Sequence, residues 1–153
     1  MKRFCLTLLV ASAIAAIGVP AQAALITFDA FLSGLAEVPA NASPATGFGQ
    51  VVLNNVANTI TVDLNWNGLV APATAAHIHG PAAPGVNAGV LFPLAGVAAA
   101  TSGAITTQTF AITAGQITQL QGGLFYMNLH STAFPGGEIR GQLIAGSGVS
   151  AMS

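Results

Sequence analysis

Charged side chains are nearly absent from this 153-residue sequence: Lys and Arg together number three, Asp and Glu four, and the charged share is 5%. Two of the three cations, Lys2 and Arg3, stand at the extreme N-terminus, so the rest of the chain holds only Arg140. A basic surface able to neutralise phosphates is therefore lacking, and neither nucleic acid nor an anionic membrane surface is expected as a partner. Cysteine is equally scarce. The single one, Cys5, cannot form a disulfide within the chain, so the core has to close by packing alone.

The N-terminal residues form a pattern of their own. Lys2 and Arg3 precede an apolar run from Phe4 to Ile17, followed by Ala21-Gln22-Ala23, the basic, apolar and small-residue parts of a secretory signal peptide. The run falls short of the roughly 20 residues of a transmembrane helix. Residues 1–23 are thus expected to be removed, with Cys5, and the protein to be secreted or periplasmic with no membrane contact after cleavage. The remaining 130 or so residues make one ordinary domain. Its charges are Asp29, Glu37, Asp63, Glu138 and Arg140, a formal balance of −3.

What is abundant is alternation. Ile60, Val62, Leu64 and Trp66 alternate with Thr61, Asp63 and Asn65, the period of a strand with one buried and one wet face. Trp66 reads as a core anchor. Similar stretches run over 25–33, 47–53, 105–113, 124–131 and 138–143, with Val90 to Leu94 a short strand broken by Pro93. Phe125, Met127 and Leu129 face one way, and Tyr126, Asn128 and His130 the other. Ile139 and Leu143 point inward, and Glu138, Arg140 and Gln142 outward. Thr113-Ala114-Gly115-Gln116 is a capping box for one short helix that stops at Gly122-Gly123. Residues 80–89 and 95–103 are loops, and 145–153 form a flexible tail. About seven short strands and one helix predict an all-β, antiparallel sandwich or barrel with Greek-key connections.

Three histidines make up the chain's imidazole content. His77 and His79 flank Ile78, and in a strand residues two apart share a face, so both rings project together. His130 is the third. Three imidazoles without a thiolate suit copper(II) or zinc(II), with Asn128, Glu138 and Tyr126 as neighbours. The alternative is that these rings only satisfy backbone carbonyls. Glu37, Glu138 and Arg140 are expected to form a structural ion pair between the first loop and the last strand. No cysteine nucleophile remains after processing, and no serine occupies a G-x-S-x-G elbow, so no enzyme is expected.

Three motifs carry a specific resemblance. Leu35-Ala36-Glu37-Val38-Pro39, Ala76-His77-Ile78-His79-Gly80-Pro81, and Tyr126-Met127-Asn128-Leu129-His130 leading into Pro135-Gly136-Gly137-Glu138-Ile139-Arg140-Gly141-Gln142 resemble the CHRD domain family, found in chordin and in bacterial exported proteins. The likeness spans about Ile26 to Leu143 and implies a CHRD domain over 24–144. It further implies an immunoglobulin-like or copper/zinc superoxide dismutase-like sandwich. A dismutase needs about four imidazoles and usually a second metal, and the chain has three in all, so the likeness of fold does not carry that activity. The resulting expectation is a non-enzymatic exported binding module with a copper or zinc site. The second reading is a structural or protein-interaction domain of the envelope or matrix, with an extracellular protein partner and no metal. A copper oxidoreductase stands third.

Overall fold

In the computed structural model, which describes residues 24–151, the alternating segments form nine strands and one α-helix. The segment expected as a signal peptide, 1–23, lies outside the described residues. Strands β1 (Ala24–Ser33), β2 (Thr46–Asn54) and β3 (Thr59–Asn67) make an antiparallel meander in continuous register, Leu25 opposite Asn54 and Thr46 opposite Asn67. Asparagine makes the β2–β3 turn: the Asn54 side chain accepts from the N–H groups of Val56 and Ala57, and Asn58 adopts a left-handed φ of 51°. Ile60, Val62, Leu64 and Trp66 are all buried, as their period requires. Trp66 is the expected core anchor, its Nε1 donating to the Ala100 carbonyl at 3.3 Å.

The second half contributes β4 (Ala73–His79), β5 (Val90–Leu94), β6 (Gly103–Ala111), β7 (Tyr126–Ser131), β8 (Ile139–Gln142) and β9 (Ile144–Ala151). Hydrogen bonds connect the strands in the order β5-β4-β7-β8-β1-β2-β3-β6, with β9 beside β1, and every pairing is antiparallel. The all-β antiparallel expectation holds. The sheet is one continuous path curled nearly shut as a barrel. Pro93 does not break β5, because β5 is a terminal strand of that path and the missing N–H interrupts no ladder on its free side.

At the seam, β5 and β6 approach without a backbone ladder. The Gln108 side-chain amide fills the gap: its Oε1 accepts from Ala95 N–H at 2.9 Å and its Nε2 donates to Ala95 C=O at 2.7 Å, reproducing one peptide rung. Phe92 and Phe110 pack across the same seam with centroids 5.4 Å apart. Gln108→Ala is expected to cost about 1–2 kcal/mol in urea denaturation, with faster amide exchange in β5. Unchanged exchange there would show that the seam is held by the phenylalanines alone.

A bulge explains why simple alternation misplaces β6. Val62 pairs with Gln108 but Leu64 with Ile105, so Thr106 and Thr107 oppose one residue. Ile105 and Phe110, of opposite parity, both meet the core. The helix α1 (Ala114–Gln121) begins with the expected capping box between Thr113 and Gln116 and ends at Gly122-Gly123, where Gly123 takes a φ of 70°.

Two expectations are corrected. The segment from Ala145 on, expected as a flexible tail, continues as β9 along β1 to Ala151, because the first turns of β1 present an edge that β8 does not cover. Glu138 and Arg140, expected outward, are 0% and 2% exposed. Loops lie over that face of β7 and β8, and they turn a polar face into a second interior.

Candidate metal centre

The three histidines converge on this second interior. Ile78 and Ala76 enter the apolar core, which leaves His77 and His79 on the opposite face of β4. On the neighbouring β7, Asn128 pairs with His77 and Ala75 with His130, so His130 sits diagonally across from His77. A diagonal neighbour is within reach of a long ring. Ring centroids lie 4.9 Å apart for His77 and His130, 5.4 Å for His77 and His79, and 6.4 Å for His79 and His130. One nitrogen from each falls within 4.8 Å of the other two. The sequence-predicted ligand set is thus brought together.

The hydrogen bonds fix the tautomers. His130 Nδ1 lies 2.9 Å from the Pro135 carbonyl and His79 Nδ1 lies 3.0 Å from the Ala88 carbonyl. A carbonyl only accepts, so both Nδ1 atoms carry the proton and both Nε2 atoms present a lone pair. Anchoring the far nitrogen on a carbonyl is how ligating histidines are oriented. His130 Nε2 accepts from His77 Nδ1 at 3.0 Å. His79 Nε2 is buried with no partner. Burial first, then the neighbouring imidazoles, hold His77 below the ordinary histidine pKa. Burial is also the main cause for His79, with His130 and Arg140 lowering it further and the Ala88 carbonyl opposing. Both rings therefore favour the neutral form that ligates metals.

Around them the loops are tied down. Tyr126 stacks on His79 with centroids 4.9 Å apart and planes 5° from parallel, and its hydroxyl accepts from Ala88 N–H and donates to Ala88 C=O. The Arg140 guanidinium lies 3.4 Å above the Tyr126 ring and donates to Asn87 Oδ1 at 3.0 Å and Val86 C=O at 2.8 Å. Asn87 in turn donates to the Val38 carbonyl. Burial lowers the Arg140 pKa, while Tyr126 and Glu37 raise it.

The expected Glu37, Glu138 and Arg140 ion pair is not made. Among the described residues, the hydrogen bonds of Arg140 go to the 80–89 loop. Glu138 instead accepts from Ser43 Oγ and Val70 N–H, both at 2.7 Å. Glu37 accepts from Asn128 Nδ2 at 3.3 Å, and burial raises its pKa to about 7 against the lowering pull of Arg140. Of the expected neighbours, Tyr126 stacks on His79 and Asn128 stands opposite His77 in the β4–β7 register, while the Glu138 carboxylate is bound by Ser43 and Val70. Sequence reasoning missed Asn87, Ser43 and the carbonyls of Ala88 and Pro135. These lie in unpatterned loops, and a carbonyl acceptor leaves no trace in residue type.

Comparison with known families finds that the CHRD domain model matches residues 28–143. No curated protein and no solved structure matches the chain.

Proposed function

The chain belongs to the CHRD domain family, and from that premise we propose that it is an exported, non-enzymatic binding module that holds copper or zinc through His77, His79 and His130. One observation carries the reading: the Nε2 of His79 is buried with no partner, and His79 is one of three histidines that each offer a nitrogen within 4.8 Å of the others. An unpaired buried acceptor costs stability unless something fills it. A tetrahedral ion with bonds near 2 Å holds its nitrogens about 3.4 Å apart, so capture needs ring rotations on strands already in place. For its Nδ1 to ligate an ion, His77 would carry its proton on Nε2 instead. Copper is expected to bind more tightly than zinc at an imidazole site.

The signal-like pattern of residues 1–23 supports export to a periplasmic or extracellular location. The family's kinship with immunoglobulin-like or superoxide dismutase-like sandwiches is part of the same proposal. It is supported by a single core shared between Val51 and Val62 on one half of the sheet and Ile78 and Leu129 on the other.

The rival is an envelope or matrix interaction domain without metal. It is favoured by the His77–His130 hydrogen bond, which satisfies two of the rings by themselves. Calorimetric titration of the metal-free protein with Cu(II) and Zn(II) separates the two. The metal reading expects saturable binding tighter than about 1 μM that is lost in His77→Ala and His130→Ala. Weaker binding, or binding indifferent to both substitutions, leaves the rival.

A further inference from the structure

The side chains able to ligate a metal are so few that their positions can be followed one by one. The imidazoles are three, and all three are in the cluster. Of the four carboxylates beyond the signal-like segment, Asp29 accepts from Gln50 and Asp63 from Thr107. Glu37 and Glu138 are bound to Asn128, Ser43 and Val70 as described. None joins the cluster. The Tyr126 hydroxyl is engaged at both its donor and acceptor sides by Ala88, and Asn128 Oδ1 is closed off from solvent. Among the described residues, no fourth histidine, cysteine or carboxylate joins the three imidazoles.

We infer that the three-histidine centre keeps an open coordination position and that this position takes a small anion with an oxygen or nitrogen donor. The inference rests on the metal reading of the same residues and adds to it what the metal is for. Structural zinc sites close with four protein ligands, whereas three protein ligands plus an exchangeable one is the arrangement of sites that handle a substrate. Charge selects the anion. Three neutral imidazoles leave a divalent ion's charge uncompensated, and the nearby guanidinium of Arg140 adds to it. Access lies on one side. His79 is buried, but His77 and His130 are only half-buried, so solvent reaches the cluster past their rings.

The test uses the purified chain loaded with Co(II), whose visible absorption reports its coordination, and azide as the probe anion. The expected result is a saturable spectral change at one azide per bound cobalt, absent in His130→Ala. Bound cobalt whose spectrum ignores saturating azide overturns the open position and leaves the metal reading standing. Failure of cobalt, copper and zinc to bind at all overturns both. Cu(II) loading followed by electron paramagnetic resonance gives an independent readout, since azide entering the copper's coordination plane shifts the parallel hyperfine splitting.

Discussion

Gly141→Ala is expected to destabilise the domain by about 3 kcal/mol or more, while Gly136→Ala, in open space just before the same strand, is expected to change stability by under about 0.5 kcal/mol. A Cβ on Gly141 would stand 2.6 Å from the Phe31 carbonyl oxygen and 2.8 Å from its carbon, and 3.2 Å from the Leu32 nitrogen. All three are backbone atoms of β1, so no side-chain rotation relieves the contact. The strand itself has to lift. That joint is the thinnest in the sheet, because β8 and β1 pair only at Ser33 and Arg140. Next to it stands Arg140, which holds the 80–89 loop, so its displacement also loosens the covering of His79. A Cβ at Gly136 meets nothing within 4 Å. Urea denaturation of the two variants reads the difference, and equal midpoints would show that β8 can shift away from β1 without cost.

The histidine cluster was legible because its logic is local. A strand places His77 and His79 on one face, and with His130 the only other imidazole, the set of candidates closes by counting. The buried face of β3 and the capping box at Thr113 were legible for the same reason: each depends on residues a few positions apart. The second interior was not. Period-2 alternation says that Asn128, Glu138 and Arg140 oppose the core, but whether that face meets water depends on what folds over it. Here the covering comes from the 37–43 and 80–89 loops, rich in Pro, Gly and Ala and without any period. Scarcity of charge also misled. With one cation and two nearby acids, a bridge is the obvious pairing, yet the hydrogen bonds go to neutral partners: Asn87 and Val86 for Arg140, Ser43 and Val70 for Glu138. The β9 strand and the Gln108 seam belong to the same class, since a free edge on β1 or a gap between β5 and β6 exists only once the sheet has curled.

Glu37 gives the domain a pH dependence that runs opposite to ordinary acid denaturation. Two atoms of one pair are orphaned: Glu37 Oε1 and Asn128 Oδ1 are both buried acceptors without a donor, while the other side of the pair is joined by Asn128 Nδ2 donating to Glu37 Oε2 at 3.3 Å. A proton on Glu37 Oε1 supplies the one donor that both orphans lack and closes a cyclic acid–amide pair. There is no room for a larger donor from the loop side, where Gly137, at a φ of 132°, already passes so close that a Cβ would stand 2.6 Å from Glu37 Oε1 and 2.7 Å from Asn128 Oδ1. Burial accordingly raises the Glu37 pKa from 4.5 to about 7. Because the folded state holds this proton more tightly than the unfolded chain, the contribution of Glu37 is fully present below about pH 4.5. It declines as pH rises toward 7 and is flat above that. At about 1.4 kcal/mol per unit, the loss across the window is roughly 3 kcal/mol. Glu37→Gln keeps both hydrogen bonds with an amide that does not titrate, so its stability is expected to be flat where the wild-type protein's falls. Glu37→Ala leaves Asn128 unpaired and is expected to be less stable than Glu37→Gln at every pH. Urea denaturation between pH 4.5 and 8, with a carbon-13 titration of the Glu37 carboxyl, checks both. A carboxyl that titrates near 4.5 in the folded protein would show that the pair is held by an ion rather than by a shared proton.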